Sequence, residues 1–356
     1  MDKVIVIPAL NPGRELIGYV EALIGNGWSR ILLVDDGSRD DCRFIFDTIE
    51  EKKECTVLRH EVNLGKGRAL KDAMSRYKDI FLSEDGKDRP GGIITVDSDG
   101  QHTVEDVSKV AAAMDEHPTS LVLGARDFNT GNVPPKSMFG NKCTRVALKL
   151  FIGGDIHDTQ TGLRGIPNGL IDRYSGLDGD RFEYETVMLI DAIKSGTDIR
   201  EVPIQTVYIN DNSETHFNPV IDSIKIYRVI FATFFRYLLS SLSSFLVDYG
   251  IFCGLIFALG RTTLSQSRSV WIATVVSRIC SSLFNYTINK KLVFKSSRGA
   301  GTFVMYYVLC ICVMASSAAL VSLAGSVGFP VQIAKIIVDT LLFIVSYRVQ
   351  KTLIFK

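Results

Sequence analysis

Asp97-Ser98-Asp99-Gly100-Gln101-His102 follows the apolar, β-type run Gly92-Ile93-Ile94-Thr95-Val96. That order puts two carboxylates and a carboxamide at the carboxyl end of a buried strand, the edge at which open α/β sheets bind ligands. Hard oxygen donors at this spacing can share one octahedral cation, and Mg²⁺ or Mn²⁺ suits such a set. Gly100 lets the backbone turn tightly between them. The competing reading is a plain strand end, because Thr103-Val104-Glu105-Asp106 has the form of a helix N-terminus. The flanking sequence decides between the two.

Upstream, Val4-Ile5-Val6-Ile7-Pro8, Ile31-Leu32-Leu33-Val34 and Cys55 to Leu58 read as strands. Helical stretches separate them, about 15–25, 39–51 and from Gly65 to Tyr77. Downstream come a helix over about 104–114 and a strand at Ser120-Leu121-Val122-Leu123-Gly124. Strands alternating with helices predict an α/β, Rossmann-like half with a parallel sheet and right-handed crossovers. No Gly-x-Gly-x-x-Gly follows the first strand, which counts against a dinucleotide cofactor, and the Walker spacing of a P-loop is absent. Asp35-Asp36-Gly37-Ser38 reads either as a turn with an N-cap or as a strand-end carboxylate for ribose or base. Gly65-Lys66-Gly67 reads either as a capping loop or as amides and one ammonium aimed at a diphosphate.

The chain has 356 residues, enough for two domains, and a net charge of +1, which gives no field for nucleic acid. Charge is dense as far as Arg236 and sparse beyond it. The seven cysteines lack paired metal or disulfide spacing and read as reduced thiols. Met1-Asp2-Lys3 leads into a strand and has no signal-peptide form, so the first half is expected in the cytoplasm.

Pro8-Ala9-Leu10-Asn11, Asp35-Asp36-Gly37-Ser38, Asn63-Leu64-Gly65-Lys66-Gly67, Asp97 to His102 and Gly124-Ala125-Arg126 occur in the order of family 2 glycosyltransferases with the GT-A fold. Together they most resemble the polyprenyl-phosphate sugar transferases, of the dolichyl-phosphate mannose synthase and bactoprenol glucosyltransferase type. Asp158-Thr159-Gln160-Thr161-Gly162-Leu163-Arg164-Gly165 resembles the acceptor-side motif of the same transferases. The resemblance implies that Pro8, Asn11, Asp36, Lys66, Asp97 and Ser98 bind the nucleotide sugar, and that Asp99 and Gln101 hold the metal. It implies Arg126, Lys136, Ser137, Arg164 and His216 for the acceptor phosphate. Pro12 stands where many relatives have Glu, a departure at the base-recognition loop.

A phosphate monoester acceptor is already anionic near neutral pH. It needs alignment and charge neutralisation more than deprotonation, which Arg126, Lys136 and Arg164 can supply. Asp97, Asp99, Arg126 and Asp158 form the expected catalytic set, with Asp158 either a base, a sugar-orienting carboxylate or a structural residue. Direct displacement would invert the anomeric centre.

Beyond residue 216 an interfacial amphipathic segment is expected at 217–236, followed by four spans at about 238–259, 270–289, 303–323 and 331–349. Lys and Arg crowd the start, the second connection and the C-terminal end, which predicts cytoplasmic termini in the cell membrane. Asn285-Tyr286-Thr287-Ile288-Asn289-Lys290-Lys291-Leu292-Val293-Phe294-Lys295 repeats as Ser346-Tyr347-Arg348-Val349-Gln350-Lys351-Thr352-Leu353-Ile354-Phe355-Lys356. The repeat predicts two hairpins about a pseudo-two-fold axis, and the whole segment resembles the GtrA family of four-helix membrane proteins. The expectation is a membrane-bound, metal-dependent hexosyltransferase that uses UDP-glucose or GDP-mannose and a polyprenyl phosphate, as a monomer or homo-oligomer. A flippase with a nucleotide-sugar-sensing domain and a glycolipid synthase are the alternatives.

Overall fold

The structure, a computed structural model, describes residues 2–82, 89–127, 135–205, 221–262, 264–299 and 301–356. Two compact units divide after Ile230.

In the first unit, β1 (Val4–Ala9) and β2 (Ile31–Asp35) are central strands whose residues are almost all buried. Burial on both sides is why they read as unbroken apolar runs. Three further elements of the same half follow, β3 (Cys55–Arg59), β4 (Gly92–Thr95) and β5 (Leu121–Arg126). Between them lie α1 (Glu15–Gly25), α2 (Arg43–Glu50), α3 (Lys66–Tyr77) and α4 (Val104–Glu116). The α4 helix starts where the sequence places it, because the Thr103 side chain accepts a hydrogen bond from the Asp106 amide. Its Val107, Val110, Ala111 and Met114 recur at helical spacing and pack on one face of the sheet. The opposite face is covered by Leu70, Ala73, Met74 and Tyr77 of α3 with Tyr184, Met188 and Leu189.

The chain continues through α5 (Pro135–Phe151), β6 (Arg164–Pro167), α6 (Asn168–Ser175), α7 (Glu183–Ser195) and β7 (Ile199–Ile204). Among the described residues the sheet has seven strands in the order β3-β2-β1-β4-β6-β5-β7. The all-parallel expectation fails at one strand: β6 runs antiparallel to both β4 and β5. Four residues that include a glycine and a proline carry too little β pattern to announce a strand. Yet β6 matters, since it inserts the 158–165 motif between the two strands that carry the acidic motif and Arg126.

The second unit consists of the rest of α8 (Ile221–Leu259), then α9 (Gln266–Ile288), α10 (Gly301–Ser326) and α11 (Val331–Val349). The expected interfacial segment and first span are one continuous helix of 39 residues from Ile221 onward. Residues 217–220 lie outside the described residues. By length and composition α8 and α10 are apolar enough to cross a membrane, whereas the serines and charges of α9 and α11 dilute theirs.

Both repeat tails leave their helices through a single π turn, in which Phe294 N–H donates to the Asn289 carbonyl and Phe355 N–H to that of Gln350. The tails then cross. Phe294 stacks on Phe355 with centroids 5.4 Å apart, Tyr286 meets Phe355 at 5.8 Å, and Tyr347 meets Phe294 at 6.0 Å. At the centre the buried Asn289 donates to Gln350, its counterpart in the repeat, at 3.0 Å. Around that pair Tyr237 donates to Ser346 and Tyr306 to Asn285, each tyrosine serving the other hairpin's helix. This is the pseudo-two-fold arrangement that the repeat predicts.

Candidate active site

The site lies at the carboxyl ends of β1, β2, β4 and β5. Asn11 ends the first loop with φ of +46°, a left-handed conformation uncommon outside glycine. It is held there from both sides: its amide donates to Ser38 Oγ at 2.9 Å, and its Oδ1 accepts from the Arg39 amide at 2.8 Å. Asn11 is therefore bonded directly to the 35–39 loop, and Pro8 pairs with Val34 at the adjacent strand end.

Asp36 is held by the neighbouring loop. Its carboxylate accepts from the Leu64 and Gly65 amides at 2.9 and 2.8 Å, and His60 Nδ1 lies 2.8 Å away. These bonds occupy both oxygens and tie the β2 end to the 63–67 loop. The same loop's glycines serve packing: a Cβ at Gly65 or Gly67 would collide with the backbone at Asp180 or with Tyr184. Those amides are thus engaged by Asp36 before any diphosphate arrives.

Asp97, Lys66, Glu185 and Arg164 form a row of alternating charge. Lys66 Nζ lies 2.7 Å from Asp97 Oδ1 and 3.1 Å from Glu185. Arg164 Nε lies 3.9 Å from Glu185 Oε1. Burial opposes ionisation of Asp97, but the Lys66 ammonium and then His102, whose Nε2 is 3.4 Å away, hold its carboxyl well below the usual carboxylate range. Burial likewise works against the Lys66 charge, and the two carboxylates outweigh it and raise its pKa. Glu185, on α7, meets a lysine 119 positions away in the chain.

Asp99 behaves differently. Crowding by the surrounding fold and the adjacent Asp97 charge both push its carboxyl up. Its Oδ1 accepts a hydrogen bond from the Gln101 amide at 3.1 Å. A carboxylate at the mouth of the site that is repelled by its neighbour and has no cationic side chain bonded to it fits a divalent cation. Asp99 and Gln101, hard oxygen donors, match that chemistry.

Two other expected residues turn out to be each other's partners. Arg126 grips Asp158 through Nε at 2.6 Å and Nη2 at 2.9 Å, and Asp158 is 0% exposed. Asn141 on α5 pins the same loop by accepting from the Thr159 amide and donating to the His157 carbonyl. Arg164 is only 1% exposed and donates to the carbonyls of Thr161 and Glu185 at 2.9 and 2.7 Å. Its Nε and Nη1 hold the loop and α7, and its buried Nη2 has no hydrogen-bond partner among the described residues.

The loop ends against the acidic motif: a Cβ at Gly162 would overlap the Asp97 carboxylate, and Thr95 Oγ1 donates to the Gly162 carbonyl at 2.8 Å. Asp158 and Gly162 are four residues apart, so a fully extended chain places them within about 14 Å. Asp97, Arg126 and Asp158 therefore share one neighbourhood. The side chains of Lys136 and Ser137, and the whole of His216, lie outside the described residues. Ser98 is half-buried beside Asp97.

Residues 4–174 match the family described as Glycosyl transferase family 2, and residues 228–355 match GtrA/DPMS, transmembrane domain. The chain is similar to uncharacterized protein MJ1222 of Methanocaldococcus jannaschii, 32% identical over 208 residues, or 57% of this chain and 81% of that protein. It is also similar to a UDP-N-acetylglucosamine–dolichyl-phosphate N-acetylglucosaminyltransferase of Methanococcus voltae. That match is 29% identical over 252 residues, 64% of this chain and 96% of the relative. Among solved structures, S. aureus TarS 1-349 in complex with UDP-GlcNAc aligns over 99% of this chain and 92% of its own, with a TM-score of 0.42 and 13% identity.

Proposed function

The chain belongs to glycosyl transferase family 2, with a GT-A-like first unit and a GtrA/DPMS transmembrane domain, and from that premise we propose that it moves one sugar from a nucleotide sugar to a polyprenyl phosphate at the cytoplasmic face of the membrane. The observation that carries this reading is the contact of Gly162 with Asp97, where the acceptor-side loop meets the donor-side acids. The name of the M. voltae relative favours a UDP-linked donor and brings UDP-N-acetylglucosamine into consideration beside UDP-glucose; GDP-mannose stands behind both.

The chemistry follows from the charges. The acceptor phosphate attacks the anomeric carbon, the nucleoside diphosphate leaves from the opposite side, and the centre inverts. Asp99 and Gln101 would hold Mg²⁺ or Mn²⁺, which when bound supplies electrostatic stabilisation to the leaving diphosphate. Lys66 keeps Asp97 ionised and fixed in place. Asp158 is sealed in a bidentate pair with Arg126, so it is poorly placed to be a general base. A phosphate monoester tolerates that arrangement; a neutral glycerolipid hydroxyl does not. Lys136, Ser137 and His216 are the proposed acceptor-phosphate ligands. The basic second connection and C-terminal tail support cytoplasmic termini.

The test is sugar transfer by the full-length protein with Mn²⁺, from each of the three labelled donors to undecaprenyl phosphate or diacylglycerol. Acid-labile labelled lipid with the polyprenyl phosphate alone, lost on chelation, is expected. Label on diacylglycerol would move the function to glycolipid synthesis, and no transfer with any pairing would reject the reading.

A further inference from the structure

The α5 helix has three sectors where an ordinary surface helix has two, a buried apolar face and a polar one. Its inward face consists of Asn141, Thr144, Ala147 and Leu148, none more than 6% exposed. Phe139, Val146 and Leu150 recur at helical spacing along a second, outward stripe. They are 70%, 49% and 44% exposed. Cys143 falls between them, half-buried. Lys142, Arg145 and Lys149 recur at helical spacing along one flank of the stripe.

Exposed apolar side chains of this size are scarce in the first unit. Among the described residues before α8 they are Phe44 on α2, Val62 and Leu64 in the loop after β3, and a group on α5 in which Met138 joins the other three. From Phe139 to Leu150 the stripe runs about 16 Å at 1.5 Å per residue. A contiguous exposed apolar face rimmed by charge marks an interaction site.

Charge and tethering identify the occupant. Arg145 and Lys149 share one carboxylate, Asp155, at 3.0 and 2.6 Å, so with Lys142 the flank keeps a positive surplus. An apolar stripe bordered by Lys and Arg is the form of a helix lying flat in a bilayer interface. Its apolar residues enter among the acyl chains while the long cationic stems reach the headgroups. The same chain carries a transmembrane domain, which keeps the first unit beside a bilayer. Tethering makes the docking intramolecular, so a contact of a few side chains suffices.

We propose that α5 docks on the membrane, with Phe139, Val146 and Leu150 in the bilayer interface and Lys142, Arg145 and Lys149 against anionic headgroups. On the inward face of the same helix, Asn141 accepts from the Thr159 amide and donates to the His157 carbonyl. Docking therefore holds the 157–162 loop at a fixed height over the lipid. The contact is independent of the transfer reaction proposed above.

The test uses the full-length chain without its seven native cysteines, held in nanodiscs of phosphatidylcholine and phosphatidylglycerol. An environment-sensitive fluorophore is placed on single cysteines at exposed positions, where substitution leaves the core intact. F139C, V146C and L150C labels should be quenched by lipid that carries a nitroxide on a shallow acyl carbon. A V62C label, on a residue 62% exposed beyond β3, should not be. Removing the phosphatidylglycerol, or adding K142E, should lower the ratio of docked to undocked label about fivefold or more. Lipid quenching on α5 no greater than at V62C would overturn the docking. So would labels shielded from aqueous iodide but not quenched by lipid, because protein would then cover the stripe. Quenching indifferent to both phosphatidylglycerol and K142E would overturn the assignment to anionic lipid.

Discussion

The two units bury polar groups in opposite ways. The first uses full charges: the row from Asp97 through Lys66 and Glu185 to Arg164, and the sealed pair Arg126–Asp158. At its crossing tails the second uses neutral amides and hydroxyls, Asn285, Asn289, Ser346 and Gln350 with two tyrosines. The charge row does not repeat; the amide seam is made twice. A row of ions open to water at Asp99 can exchange partners with a charged ligand, whereas a buried amide pair has nothing to offer one and serves to lock helices. The two units thus differ in the kind of polarity each buries.

The sharpest way to break this contrast is Arg126→Ala. It strands a fully buried Asp158 carboxylate, so stability should fall by about 3–5 kcal/mol, read as a lower thermal midpoint of the full chain in detergent. An unchanged midpoint would mean that the pair is ornamental. Asp99→Asn should instead lower transfer about 100-fold or more while leaving the apo protein at least as stable. The sign follows from its raised pKa: the folded state holds that proton more tightly than the unfolded state, so stability linked to Asp99 is lost as pH rises. Any stability advantage of the Asn variant should therefore shrink as pH falls toward that pKa.

Gly162→Ala probes the contact between loop and acid. Displacing the Asp97 carboxylate should cost about 100-fold in transfer and about 1–3 kcal/mol of stability, measured by initial rates and thermal melting. Normal rates would detach the acceptor loop from the donor site. The smallest effect is expected in the membrane seam, where Asn289→Ala should cost about 0.6–1.7 kcal/mol. Gln350→Ala also removes the bonds that its Nε2 donates to Tyr237 and Ser346, so the double variant should cost less than the sum of the two single changes by about the one bond they share; simple additivity would show the seam is not a unit.

Several site assignments made from the sequence changed once partners were visible. Asp36 has the local pattern of a strand-end ligand, and that pattern is the same whether the carboxylate meets a ribose or the amides of Leu64 and Gly65. Arg164 was expected near phosphate, and in the structure it and Asn141 hold the 157–162 loop. Lys66 was expected on the diphosphate, and its ion pairs come from the end of β4, which brings Asp97, and from α7 folding back over α3, which brings Glu185. The reason is common to them: a polar residue's type and spacing state what it can bond, not what comes within reach.

By itself the sequence determined what is local. Apolar runs of strand length, helical spacing, the Thr103 cap, the change in composition after Arg236 and the 11-residue tail repeat all act over short stretches of chain. Only the tertiary structure decided the reversed direction of β6, the charge row across 119 positions and the crossing of the tails. Those depend on segments distant in sequence meeting at hydrogen-bond distance, and an ion's role is set by the partner that reaches it first.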